Sequence, residues 1–160
     1  MAIHGSLLVK HAGRYLLLTT AEYRSVANCP QGPVEEVRLF VAADITNLDA
    51  KIVAEFGRAA LRNGTVYFCV WGPDCERFHD IVDELIVGDD QGERLFAGPR
   101  KEDAVMTTWH KDETLEEALD FFLNLASPTE GFQAGSNFWV SICINNPKWA
   151  ERIRKYVAFV

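Results

Sequence analysis

TVYFCVWGPDCERFHDIVDEL, Thr65 to Leu85, decides how the rest of the chain is read. Thr65 to Trp71 is a continuous, largely apolar run rich in β-branched and aromatic side chains, the pattern of a strand buried on both faces. Gly72-Pro73-Asp74 breaks the run, with Asp74 expected as helix cap and Cys75 as the first helical residue. Phe78, Ile81, Val82 and Leu85 then recur at helical spacing. A two-sided strand that passes through a tight turn into an amphipathic helix is half of a parallel βαβ unit.

The same alternation extends both ways. Upstream, Val37 to Ala43 reads as a strand ending at Asp44, followed by a helical stripe of Leu48, Ile52, Phe56, Ala59 and Ala60 that stops at Asn63-Gly64. Downstream, Ala104 to Trp109 is a third strand. Thr114-Leu115-Glu116-Glu117 is a capping box that opens a helix burying Leu115, Ala118, Leu119, Phe122 and Leu125. Phe138 to Ile144 is a fourth strand, and Pro147 sits where a helix tolerates a missing N–H. That last helix carries Trp149, Ile153, Tyr156 and Val157 on one face. Leu7 to Lys10 and Arg14 to Thr20 read as an N-terminal hairpin. Residues 23–34, and 127–136 with Pro128, Gly131 and Gly135, read as loops. The 88–103 connection is long for a structureless link, and Arg94-Leu95-Phe96 is a candidate extra strand.

The expectation is one α/β domain over 1–160: a hairpin and loop extension over 1–34, then four βα repeats over 37–160. Four parallel strands and four helices form a three-layer, doubly wound sheet. Strand order 2-1-3-4 is preferred to consecutive winding, because it covers both faces of strands that are apolar on both sides.

At 160 residues, 48% hydrophobic and 24% charged, the composition is that of an ordinary globular chain. No apolar run reaches the length of about 18 residues that a membrane span requires. The N-terminus has no basic, apolar leader, which predicts a cytoplasmic protein. The net charge is −7, with six basic against eleven acidic groups over 41–100. That excess of acid disfavours nucleic acid, which needs clustered Lys and Arg, and with no spanning run no membrane partner is expected. Cys29, Cys69, Cys75 and Cys143 show no C-x-x-C spacing, so neither a metal knuckle nor a disulfide frame is indicated. Cys69 and Cys143 fall within strands and read as buried thiols.

The stretches VYFCVWGPDCERFHDIVDE and TTWHKDETLEEALDFF resemble segments of uncharacterised bacterial proteins grouped as a domain of unknown function. The resemblance covers roughly 37–160 and implies no activity. The βα order also resembles flavodoxin-like and TIR-like domains in architecture alone. The chain lacks the phosphate loop of the first and a motif holding the catalytic glutamate of the second, so no residue role carries over.

Ligands of open α/β sheets bind beyond the carboxyl ends of the strands, at the switch point. Those ends carry Asp44, Trp71 to Cys75, Trp109-His110 and Asn145. In the preferred order Asp44 and His110 flank the crevice. Cys75, His79 and Asp83 at i, i+4, i+8 lie along one helix edge, with Cys75 in the first turn where the dipole favours thiolate. The simpler reading makes His79 and Asp83 a solvated pair. Zinc on Cys75 and His79 with His110 or Asp44 lacks the spacing of a metal site, so no metal and no cofactor is expected.

Two functions compete. The first is a binding module of accessory or immunity type for a protein or small ligand, with Asp44, Trp71, Asp74, Trp109, His110 and Asn145 as candidate contacts. A second copy of the chain is a further expected partner, through the 88–103 connection. The second is a hydrolase or transferase with Cys75 as nucleophile, His79 or His110 as base and Asp44 as the orienting acid.

Overall fold

The computed structural model describes residues 7–11, 14–21, 36–88, 104–133 and 138–160. Among them six strands form one sheet: β1 (Leu7–His11), β2 (Arg14–Ala21), β3 (Val37–Ala42), β4 (Thr65–Trp71), β5 (Met106–His110) and β6 (Phe138–Ile144). The helices are α1 (Ala50–Arg62), α2 (Cys75–Gly88), α3 (Leu115–Asn124), the single turn α4 (Glu130–Gln133) and α5 (Pro147–Phe159). The expected loop over 127–136 thus contains a helical turn. The 23–34 loop, the 94–96 strand and Cys29 lie outside the described residues.

The sheet order is β1-β2-β6-β3-β4-β5. The four main strands β3, β4, β5 and β6 all run parallel, as the repeat predicts. Their order corrects the expectation: in the numbering of the four repeats it is 4-1-2-3, not 2-1-3-4. The N-terminal hairpin is also more than an extension. β2 pairs parallel with β6 over Tyr15–Ala21, so five strands are parallel and only the edge strand β1 is antiparallel.

Packing explains how this order still covers both faces. Leu39 and Val41 of β3, Phe68 and Val70 of β4, and Val140 and Ile142 of β6 form one core with Val53 and Phe56 of α1 and Phe78 and Val82 of α2. Phe40, Tyr67, Cys69, Trp139 and Cys143 point to the other face. There they join Leu16 and Leu18 of β2, Leu115, Leu119 and Phe122 of α3, and Ile153 and Val157 of α5. The chain crosses over once: after β5 the apolar stripe of α3 returns along the second face, with the Phe122 ring 5.4 Å from that of Phe40. β6 then pairs with β3 on the side away from β4. Each of these fully buried side chains contributes about 1.5–3 kcal/mol relative to exposure, enough to hold α3 to one face.

Local signals place the element ends. Thr114 Oγ1 accepts from Glu117 N at 3.2 Å, while the Glu117 carboxylate accepts from Thr114 N at 2.7 Å, completing the capping box. Asn146 caps α5 through Trp149 N, ahead of Pro147. Gly72 is required twice over. Its φ of 124° is open to glycine alone, and a Cβ there would stand 2.1 Å from the carbonyl oxygen of Ala43. That close approach lets Ala43 N donate to Trp71 O and Ile45 N to Pro73 O, zipping together the turns that follow β3 and β4.

Candidate functional site

Parallel strands gather Asp44, Trp71, Asp74, His110 and Asn145 on one rim of the sheet, the carboxyl rim. Asp44 and His110 do not flank one crevice, because β4 lies between their strands. Two adjacent pairs have following helices on opposite faces: β6 and β3, leading to α5 and α1, and β4 and β5, leading to α2 and α3. Asn145 and Asp44 bracket the first pair, and Asp74 and His110 the second.

At this rim the polar groups bind one another. Asp44 Oδ1 accepts from Thr46 N at 3.0 Å and from Thr46 Oγ1 at 2.7 Å, a side-chain turn. Asp74 has φ 64°, which is outside the extended geometry of a helix cap and corrects that expectation. Its carboxylate accepts from Arg77 Nε at 2.6 Å. The same guanidinium donates to Leu48 O at 3.2 Å and to Ile45 O, so Arg77 staples the first turn of α2 to the β3–α1 connection. Arg77 was not singled out from the sequence, although Asp74 three residues before an arginine in a first helical turn is a readable pair.

Cys75 is 1% exposed and belongs to the core between the sheet and α2. Burial raises its thiol pKa, and the groups closest to offsetting this are backbone ones at His110, Gly72 and Glu76. Both imidazoles are engaged elsewhere. His79 Nδ1 lies 2.6 Å from Thr107 Oγ1, and its Nε2 lies 3.4 Å from Asp83 Oδ2. Thr107 donates its only hydroxyl hydrogen to Asp83 Oδ1 at 2.7 Å, so His79 Nδ1 is the donor toward Thr107. The His79 ring stacks on Trp109, 4.2 Å between centroids. His110, 5% exposed, places Nδ1 2.8 Å from Glu113 Oε2 and Nε2 3.3 Å from Thr108 Oγ1. The Cys75–His79–Asp83 stripe is thus divided: Cys75 enters the core, while His79 and Asp83 join Thr107 on the neighbouring strand β5.

The remaining candidates are spread along the rim. Trp71 Nε1 donates to Glu113 O at 2.8 Å, and its ring meets Trp149 edge-on at 4.9 Å. Asn145, with φ 53°, donates its backbone N–H to Ala21 O. Behind it the Cys143 thiol donates to Asn146 O, and burial pushes its pKa up to about 11. Trp109, 43% exposed, lies at the β5 end of the sheet.

The opposite, amino rim presents a groove of about 320 Å³ lined by Arg14, Arg38, Trp139 and residues 123–127. Strand order creates it. Trp139 pairs in register with Arg38 on one side and Leu16 on the other, and Arg14 is two residues ahead of Leu16 on the same face. The guanidinium carbons of Arg14 and Arg38 lie 4.5 and 5.0 Å from the Trp139 ring centroid, within cation–π range. Arg14 Nη1 donates to Leu123 O at 3.2 Å and Arg38 Nη1 to Ala126 O at 2.7 Å, which ties both to the chain leaving α3. Burial, and secondarily the charge of Arg14, lower the pKa of Arg38. Trp139 is 2% exposed, and its buried Nε1–H has no hydrogen-bond partner. Sequence reading missed this site. One signal was present: a lone cation, Arg38, at the start of the otherwise apolar strand VRLFVA.

Among the described residues no three His, Cys, Asp or Glu side chains gather closely enough to hold a metal ion, and no helix is long and apolar enough to cross a membrane. Residues 15–158 match the family described as Domain of unknown function (DUF7684). The chain belongs to that family. No curated protein matches it.

Proposed function

We propose that this member of an uncharacterised family is a cytoplasmic recognition module, Rossmann-like in its layering, that binds a protein or small ligand rather than performing covalent chemistry at the carboxyl rim. One observation carries the reading: Cys75, the only thiol at a helix start among the described residues, is buried in the core with its pKa raised, while both nearby imidazoles are held by Thr107, Asp83, Glu113 and Thr108. A nucleophilic thiol needs the opposite surroundings, a partly exposed and electropositive pocket with a base in reach. The arrangement suits a domain whose carboxyl rim stabilises the fold.

Alkylation kinetics test this. With iodoacetamide at neutral pH, Cys75 in the folded protein should react far more slowly than in the urea-unfolded chain. Its rate should be unchanged by His79→Ala or His110→Ala. Rapid labelling of Cys75 that disappears in either histidine variant would overturn the proposal in favour of the Cys–His enzyme.

A further inference from the structure

We infer that His79, Asp83 and Thr107 form a proton-operated clamp between α2 and β5, which closes fully only when the His79 ring takes up a second proton from solvent.

The hydrogen count decides how the clamp behaves. Three contacts close a ring of side chains: His79 Nδ1 to Thr107 Oγ1 at 2.6 Å, Thr107 Oγ1 to Asp83 Oδ1 at 2.7 Å, and Asp83 Oδ2 to His79 Nε2 at 3.4 Å. Each contact needs one hydrogen. The threonine hydroxyl supplies one, a neutral imidazole one and an ionised carboxylate none. Neutral His79 therefore leaves one contact empty. With Nδ1–H donating to Thr107, the bare lone pair of Nε2 faces Asp83 Oδ2. The other tautomer fills that contact but makes Nδ1 compete with Asp83 Oδ1 for the single hydroxyl hydrogen. An imidazolium carries two N–H donors, and all three contacts are then satisfied.

The surroundings leave this ring of contacts to act by itself. Trp109 covers the imidazole at 4.2 Å between centroids, a distance at which an aromatic face attracts a cation. On β5, His110 is bonded to Glu113 and Thr108. On β4, Tyr67 and Cys69 point to the opposite face of the sheet. α1 meets α2 through Phe56 and Gly57, against Phe78, Val82 and Leu85. None of its charged side chains, Lys51, Glu55, Arg58 and Arg62, is a partner of His79. On α2 itself Glu76 is paired with Lys111 at 3.2 Å, and Asp80 is exposed. Among the described residues Asp83 is thus the one charged partner of His79.

Histidine is the side chain whose ordinary charge change falls between pH 5 and 8, so the clamp answers to mild acidification. Protonation adds a contact that the unfolded chain lacks. The stability it brings is therefore present at the acid end of that range and is lost as pH rises. Asp83 is half-exposed, so the gain is that of a screened pair, about threefold in the folding equilibrium constant.

The test is urea unfolding at pH 8 and pH 5.5, both above the ordinary carboxylate range. The parent, His79→Gln and Asp83→Asn are compared. Titration of the other histidines is common to all three and cancels in their ratios. The folding constant of the parent relative to His79→Gln should rise about threefold on acidification. Asp83→Asn should abolish or reverse the rise, because its amide supplies the missing hydrogen. The amide nitrogen donates to neutral Nε2 while the amide oxygen accepts from Thr107. That variant should match or exceed the parent at pH 8 and fall behind it at pH 5.5. The inference is overturned if the parent-to-His79→Gln ratio changes by less than about 1.5-fold, or if Asp83→Asn keeps the rise of the parent. Should His79→Gln fail to fold, the nearly isosteric Asp83→Asn decides. The readout is stability rather than thiol reactivity, so it succeeds or fails apart from the recognition reading.

Discussion

The two rims of this sheet put arginine to opposite uses. At the carboxyl rim Arg77 binds the nearby Asp74 carboxylate and two backbone carbonyls, and the carbonyl contacts join the first turn of α2 to the β3–α1 connection. At the amino rim Arg14 holds the last turn of α3 and Arg38 the chain just after it, each by a carbonyl bond, yet both lie against an indole whose own N–H is unmatched. Parallel topology accounts for the contrast. Every strand-to-helix turn arrives at the carboxyl rim, so polar turn residues crowd there and satisfy one another. Near the amino rim, where α3 ends, Arg14 of β2 and Arg38 of β3 lie against Trp139 of β6, whose ring also packs 5.1 Å from that of Phe122 of α3. A rim that lies where ligands are expected in such folds is here occupied with holding itself together.

Substitutions can break or sharpen this contrast. The largest effect should come from Gly72→Ala, which forces a Cβ into the Ala43 carbonyl at a positive φ. It should cost about 3 kcal/mol or more in urea unfolding, since strain and clash add. Arg77→Ala should follow at roughly 2 kcal/mol, because it leaves Asp74 and two carbonyls without their charged donor. Thr114→Ala removes the cap of α3 on the same rim and should cost about 1 kcal/mol, read from the shift in unfolding midpoint at constant m-value. Arg14→Gln, by contrast, should cost less than about 0.5 kcal/mol, since relief of repulsion with Arg38 offsets the lost carbonyl bond. If Arg14→Gln proves as damaging as Arg77→Ala, the contrast between the two rims fails.

A further small effect concerns pH. The Arg152 guanidinium, 2.9 Å from Glu116 Oε1 through Nε, holds the Glu116 carboxyl below its ordinary 4.5. A depressed carboxylate stabilises the folded state fully above that ordinary value, and the gain fades as pH falls through the lower one. The pair is largely solvent-exposed, so screening limits it to roughly 0.5 kcal/mol. Comparing the acid limb of unfolding in Arg152→Gln with the parent should show a loss of that size at neutral pH and none at pH 2.

Much of the architecture was legible because each signal was local. The TVYFCVW run, the Thr114–Glu117 box and Asn145-Asn146-Pro147 each report on their own few residues, and all the corresponding elements are present. The Cys75–His79–Asp83 stripe was equally legible as a spacing, but spacing along a helix does not say which edge faces the core. Cys75 was drawn inward by the apolar stripe of Phe78, Val82 and Leu85, and His79 outward to Thr107 of β5. Arg14, Arg38 and Trp139 had no common signal, because their proximity depends on β6 lying between β2 and β3.

Periodicity and turn chemistry alone thus determined that this chain alternates parallel strands with helices and that its main strands end on one rim, since both follow from contacts within a few residues. Strand order was left to the tertiary structure. Strands apolar on both faces can accept more than one neighbour, and only the choice of face by α3 returns the chain to put β6 against β3. That choice separated Asp44 from His110 and brought two arginines to one tryptophan.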